Sequence, residues 1–118
     1  MRLMGLSLLL ALCSGEVLAQ ACVVQSKSER VNVKVCEQNR NMPEKLFAEG
    51  FCQPNLPGQT VDVQYIDQCP AGAFGVCSNA SVSNMPYRMD IHYYGKATDG
   101  AYLKPFCENH SQGTWLKP

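Results

Sequence analysis

Cysteines are the residues of this chain with the most distinctive chemistry, and their positions decide which chemistry that is. Of the 7 in the 118 residues, Cys13 lies in an apolar opening run. Cys22, Cys36, Cys52, Cys69, Cys77 and Cys107 remain, an even set. In an exported domain of this size such a set is expected to form three disulfides, each contributing roughly 2–4 kcal/mol. Tetrahedral zinc is not expected, because no two of these cysteines form a C-x2-C pair. A catalytic thiol is disfavoured by the same even count. Joining neighbouring segments gives Cys22 with Cys36, Cys52 with Cys69 and Cys77 with Cys107 as the expected pairing, one of about fifteen that six cysteines permit.

Acid–base and metal chemistry have fewer candidates. Asp90 and His92 share one face of an alternating stretch, which places their side chains about 7 Å apart on a strand. A metal or general-base site would need His110 or Glu108 carried to them by the cross-links. A polar row on the solvated side of an antiparallel sheet explains Asp90 and His92 without any chemistry, and that reading is preferred. The serines lack a G-x-S-x-G context, and Ser111 beside His110 has no activating partner. Gly72 and Gly75 lack the third glycine and the Lys-Ser/Thr ending of a phosphate loop, so they read as turn residues. No cofactor and no metal is expected. Asn79-Ala-Ser81 and Asn109-His-Ser111 fit the glycosylation acceptor pattern, which has meaning only in a eukaryotic secretory pathway.

Recognition has better material. Tyr87, Tyr93, Tyr94, Tyr102 and Trp115 combine apolar area with hydrogen-bonding tips. Alternation buries half of such a set, which leaves Arg88, His92 and Tyr94 as the exposed binding candidates. The single tryptophan is expected to cover the core.

The elements that must position these residues begin after an address label. The opening residues carry a basic Arg2, an apolar stretch over residues 3–12, and small residues at Ala19 and Ala21, the pattern of an export signal, read as residues 1–19. Cleavage after Ala19 is preferred to cleavage after Ala21, leaving residues 20–118 as a single disulfide-stabilised domain. The apolar stretch is about half a membrane span, so no transmembrane segment is expected after signal removal. A lipid anchor at Cys22 or Cys13 is the lesser alternative, since Leu12 is bulky for such a site and modifying Cys22 would leave an odd cysteine count. The expected location is therefore periplasmic or secreted, with a lipid-anchored envelope protein as the alternative. The chain holds 10 basic and 10 acidic residues; losing Arg2 and Glu16 with the signal keeps it neutral, so bulk attraction to nucleic acid is not expected.

Periodicity outlines an α+β domain: a small disulfide-stabilised antiparallel sheet of about three to five strands with one or two short helices. Residues 22–24 and 31–35 read as a hairpin around a polar turn, with Val31, Val33 and Val35 on one face. A helix follows Asn41, with Asn41 or its neighbour as the cap, Pro43 at an early position and Leu46, Phe47 and Phe51 on an apolar face. Residues 60–66 alternate as a strand. Residues 69–77 form a Gly-rich path that serves as the structural centre, and residues 78–84 read as a polar connection. Residues 87–94 show the clearest two-residue period: Tyr87, Met89, Ile91 and Tyr93 oppose Arg88, Asp90, His92 and Tyr94. A short helix to about Asn109, made irregular by Pro105, would turn Tyr102, Leu103 and Phe106 to the core. The last residues form a short strand or a tail over the sheet.

The spacing Cys69-Pro70-x-Gly72-x-x-Gly75-Val76-Cys77, then Tyr93-Tyr94, Cys107 and Gly113-Thr114-Trp115, resembles a loose group of small exported, cysteine-rich bacterial proteins of unknown function, many of them lipoprotein-like. The match covers the C-terminal half. It implies export and a disulfide architecture and brings no substrate. The leading functional expectation is a non-enzymatic protein that binds a protein or envelope component, as an interaction module, inhibitor or immunity-like partner. The alternatives are a small hydrolase or metal-dependent enzyme centred on Asp90, His92 and His110, and a structural surface protein.

Overall fold

The computed structural model of the protein describes residues 20–30, 32–54 and 56–118. The expected signal over residues 1–19, Cys13 within it, and Val31 lie outside the described residues.

Strands form where side chains alternate between an apolar and a wetter environment. β1 (Ala21–Lys27) and β2 (Asn32–Asn39) make the expected hairpin, followed by β3 (Thr60–Ile66), β4 (Gly75–Ser81), β5 (Arg88–Tyr94) and β6 (Thr114–Leu116). They build one six-stranded sheet in the order β3-β1-β2-β5-β4-β6, with every pairing antiparallel. Three to five strands were too few. The shortfall is largely β4, where an irregularity between Cys77 and Ala80 and a left-handed Asn79 (φ 57°) break the alternation, so that residues 78–81 do not scan as strand.

Helical segments are short. α1 (Glu44–Leu46) starts after an extended Pro43 and widens into a π-type turn, Phe47–Phe51. Asn41 does not cap it; its side-chain oxygen accepts the Arg88 amide hydrogen at 2.7 Å and so links the segment to β5. α2 (Gly100–Pro105) is preceded by a 3-10 turn, Ala97–Asp99, and followed by a second π-type turn, Phe106–His110. The irregularity expected at Pro105 is there, because a proline nitrogen has no hydrogen to give the preceding turn.

Register sorts the sheet into two faces. Cys22 lies opposite Glu37 and Tyr65, Val24 opposite Val35 and Val63, and Glu37 and Val35 opposite Ile91 and Tyr93. Cys77 and Trp115 continue this first face. The second face carries Val23, Cys36, His92 and Val76 in one row, with Asp90 and Tyr94 on either side of His92. The alternation expected over residues 87–94 is present.

The first face holds the larger part of the core, and a smaller buried group, Ala21, Val23 and Cys36, lies on the second against Ile66, Cys69 and Tyr94. Cys22, Val24, Met42, Phe47, Cys52, Val82 and Met89 are buried together beneath the α1 segment, with Leu46, Phe51 and Ile91 packed against them. A second group, Cys77, Ala80 and Cys107, forms under the α2 segment against Tyr93 and Trp115. Gly75 is required here: a Cβ would stand inside the Trp115 indole ring. Trp115 is thus the core cover that was expected, resting on Gly75 and tilted against Tyr93 at 5.7 Å between centroids.

The three disulfides are Cys22–Cys52, Cys36–Cys69 and Cys77–Cys107. The last is the expected one; the other two correct the expected pairing. Cys22 faces Glu37 and Cys36 faces Val23, so these neighbours in the hairpin point to opposite sides of the sheet and cannot be joined. Each bridge instead fastens a covering segment to one face. Cys52 closes the α1 segment and Cys107 the α2 segment onto the first face, while Cys69 holds residues 67–74 across the second.

Residues 67–74 must cross the second face because β3 is an edge strand and β4 lies four places away in the sheet. Polar contacts hold this strap: Gln38 donates to the Asp67 carbonyl at 3.2 Å and accepts from the Cys69 amide at 3.0 Å. The Tyr94 hydroxyl donates to the Pro70 carbonyl at 2.6 Å. Gly72, at φ 100°, takes a turn that side chains resist. The Gly-rich stretch is therefore a crossing between two faces, with Cys69 on one and Cys77 on the other.

Candidate binding surface

Side chains at the end of the sheet near Tyr93 and Tyr94 meet both criteria for a recognition surface, exposed apolar area and fixed placement. α2 was expected to turn Tyr102 and Phe106 inward. Instead Tyr102 is 79% exposed and Phe106 51%, and Leu103 is half-buried. The reason is the bond from Cys107 to Cys77, which sets the rotation of the segment so that Cys107 alone is buried in its π-type turn.

A groove of about 270 Å³ runs between α2 and β2 on the first face, lined by Val33, Val35, Phe74, Tyr93, Tyr102 and Leu103. Val33, 45% exposed, supplies one wall and Tyr102 the other. Phe74 also lines a neighbouring cavity of about 570 Å³, where Trp115, Lys104 and Lys117 gather. A third hollow continues past Tyr94 to Arg30 and Lys96. Five cations, Arg30, Lys34, Lys96, Lys104 and Lys117, border these hollows, and among the described residues Asp99 is the only carboxylate that does. Lys34 Nζ stands 5.3 Å from the centroid of the Tyr94 ring, within cation–π range.

The candidates read from alternation share the second face of β5 but are less free than expected. The Tyr94 hydroxyl is engaged by Pro70, and burial pushes its titration up. His92 is half-buried between Cys36 and Val76; burial lowers its pKa and the nearby Asp90 partly offsets this. Asp90 accepts from Arg40 Nε at 2.7 Å and from the Asn79 amide at 2.8 Å. Arg88 donates to the Asn79 carbonyl at 3.1 Å and lies at the opposite end of the strand from the groove. Of the three, only Tyr94 borders the aromatic hollows. Val33, Phe74 and Leu103 were missed; the one signal for them was that Val33 belongs to the same alternating run as Val35.

The structure does not assemble Asp90, His92 and His110. Asp90 and His92 share the second face, while His110 ends the segment bonded to the first face and stacks on Phe106 at 4.6 Å. Among the described residues the three do not bring their potential ligand atoms together in one cluster. Cys22, Glu37 and Cys52 bring potential metal-ligand atoms within 4.8 Å of one another. The two sulfurs are joined to each other, however, so neither is a thiolate donor.

Glu37 has the most perturbed titration. It lies on the first face beside the Cys22–Cys52 bridge, with a carboxylate oxygen 3.7 Å from Cys22 Sγ. Burial pushes its pKa up to about 7, since an apolar setting penalises the charged form. The same carboxylate adds to burial in raising the titration of Tyr93.

No protein-family model, no curated protein and no solved structure matches the chain. Among the described residues, no helix is long and apolar enough to cross a membrane.

Proposed function

We propose that the protein is an exported, non-enzymatic binding protein that recognises another macromolecule, a protein or envelope component, through the aromatic groove beside α2. Tyr102 carries this reading. A large aromatic side chain is held 79% exposed, on a segment locked in rotation by a disulfide, beside an apolar groove. Ordering such a surface in advance lowers the entropic cost of association, and tyrosine is among the residues that dominate binding interfaces. The surrounding lysines favour a partner that presents acidic groups beside an apolar anchor. The three disulfides are those of a chain that folds in an oxidising compartment.

The test is site-specific photo-crosslinking in the source envelope, with the reactive group in place of Tyr102 and, separately, in place of Asp62 on β3. The expected result is one discrete product from position 102, absent at 62, that is lost in Lys104→Glu. Equal or no products from both positions would favour a structural surface protein and defeat the proposal.

A further inference from the structure

At the other end of β5, away from the aromatic groove, lies a cleft of about 710 Å³ between the β4–β5 connection and the end of the α2 segment. Its charged and polar lining includes Arg88, His110, Ser81, Ser83, Asn84 and Gln112. Apart from Ser81, which gives its amide and hydroxyl hydrogens to Ser111, these side chains can donate hydrogen bonds to a ligand, and Arg88 carries positive charge. No carboxylate lines the cleft among the described residues.

The walls are held in place. Ser81 joins them, its amide and its hydroxyl both donating to the Ser111 carbonyl, at 2.7 and 2.9 Å. The Cys77–Cys107 bridge ties the same two segments a few residues away. Asn84 and Gln112 both sit at φ 55°, a conformation that non-glycine residues seldom adopt, and both line the cleft. Backbone held in sparsely populated regions concentrates at ligand sites. Phe106 stacks on His110 with an interplanar angle of 26° and fixes the imidazole.

Arg88 and Arg40 differ in a telling way. Arg40 spends its guanidinium on Asp90 and on the Ser78 hydroxyl. Arg88 forms no ion pair among the described residues, and its one side-chain hydrogen bond goes to the neutral Asn79 carbonyl. Its remaining N–H groups are thus available at a cleft without a counter-charge.

We propose that this cleft binds an oxyanion, with Arg88 supplying the charge and paired donors, His110 a second donor, and Ser83 with the amide groups of Asn84 and Gln112 the remainder. Arg presents a fork that matches both planar carboxylates and tetrahedral sulfate or phosphate groups. The site is distinct from the aromatic groove and stands whether or not that groove binds a partner.

The experiment is an amide NMR titration of the oxidised protein with sodium acetate, sodium sulfate and inorganic phosphate in separate arms, at ionic strength held constant with sodium chloride. Saturable shifts confined to Ser83, Asn84, Arg88, His110 and Gln112 are expected in at least one arm. Saturation by acetate alone identifies a carboxylate ligand, and saturation by sulfate or phosphate a tetrahedral one. Arg88→Gln should weaken binding at least about ten-fold. His110→Gln, at an exposed position that leaves the fold intact, should weaken it by a smaller factor. Lys104→Gln, in the other hollow, should change nothing. Linear shifts in all three arms, or the same saturation in Arg88→Gln and Lys104→Gln, would overturn the proposal.

Discussion

The two faces of the sheet are covered by different means, although a disulfide takes part on both. On the first face, Phe47, Met42 and Val82 bury apolar area beneath the α1 segment, and Cys22–Cys52 is fully inside that core. On the second face a smaller group, Ala21, Val23 and Cys36, is buried against Ile66, Cys69 and Tyr94, and the strap of residues 67–74 that crosses it is held by hydrogen bonds from Gln38 and Tyr94 around Cys36–Cys69. Area burial is cooperative and supports the whole domain; a strap of hydrogen bonds in water contributes only about 1 kcal/mol per bond. The same covalent link therefore sits in the larger apolar core on one face and, on the other, in a smaller buried group that a hydrogen-bonded strap closes.

The largest contrast should come from removing the bridges in turn. Cys22→Ala with Cys52→Ala loses a cross-link and leaves a cavity, and a loss of about 4–5 kcal/mol in urea unfolding is expected. Cys36→Ala with Cys69→Ala should cost about 3 kcal/mol, with hydrogen exchange rising first over residues 67–74. Equal, global acceleration in both variants would break the distinction. Gly75→Ala drives a methyl group into Trp115 and should cost about 2–3 kcal/mol through overpacking, visible as a change in tryptophan emission.

Glu37 sharpens the comparison by pH. Its folded pKa of about 7 lies above the ordinary 4.5, so the native state holds more protons than the unfolded one between those values. Stability should fall as pH rises through that window, by about 2 kcal/mol after allowance for partial exposure. Glu37→Gln should flatten the profile and be the more stable form at pH 8; an unchanged profile would remove Glu37 from the account. The smallest effect expected is Tyr94→Phe on the second face, about 1 kcal/mol for the bond to Pro70, read as faster exchange in the strap with little change in midpoint.

What was legible in the sequence follows from the range of the physics. Alternation within residues 87–94 reports which side chains share a face, and β5 obeys it; the hairpin and β3 were likewise readable from local pattern. Whether two strands register so that Cys36 meets Val23 or Cys22 depends on the turn between them, and residue types do not reveal that. The bridge pairing failed there. The rotation of α2 was hidden for a related reason: Tyr102 and Phe106 look like core residues until the link from Cys107 fixes which side of the segment is down. In the proposed oxyanion cleft, Arg88 and His110 were each visible as candidates, but local pattern grouped Arg88 with His92 and Tyr94, its neighbours on the alternating strand, and not with His110. The β4 irregularity and the left-handed Asn84 and Gln112 that shape the cleft leave no periodic trace.

Peptide mapping of the non-reduced protein bears on the division of labour between the faces most directly. Fragments linking Cys22 to Cys52, Cys36 to Cys69 and Cys77 to Cys107 are predicted. A fragment linking Cys22 to Cys36, or Cys52 to Cys69, would place both partners on one side of the sheet and contradict the register on which the account stands.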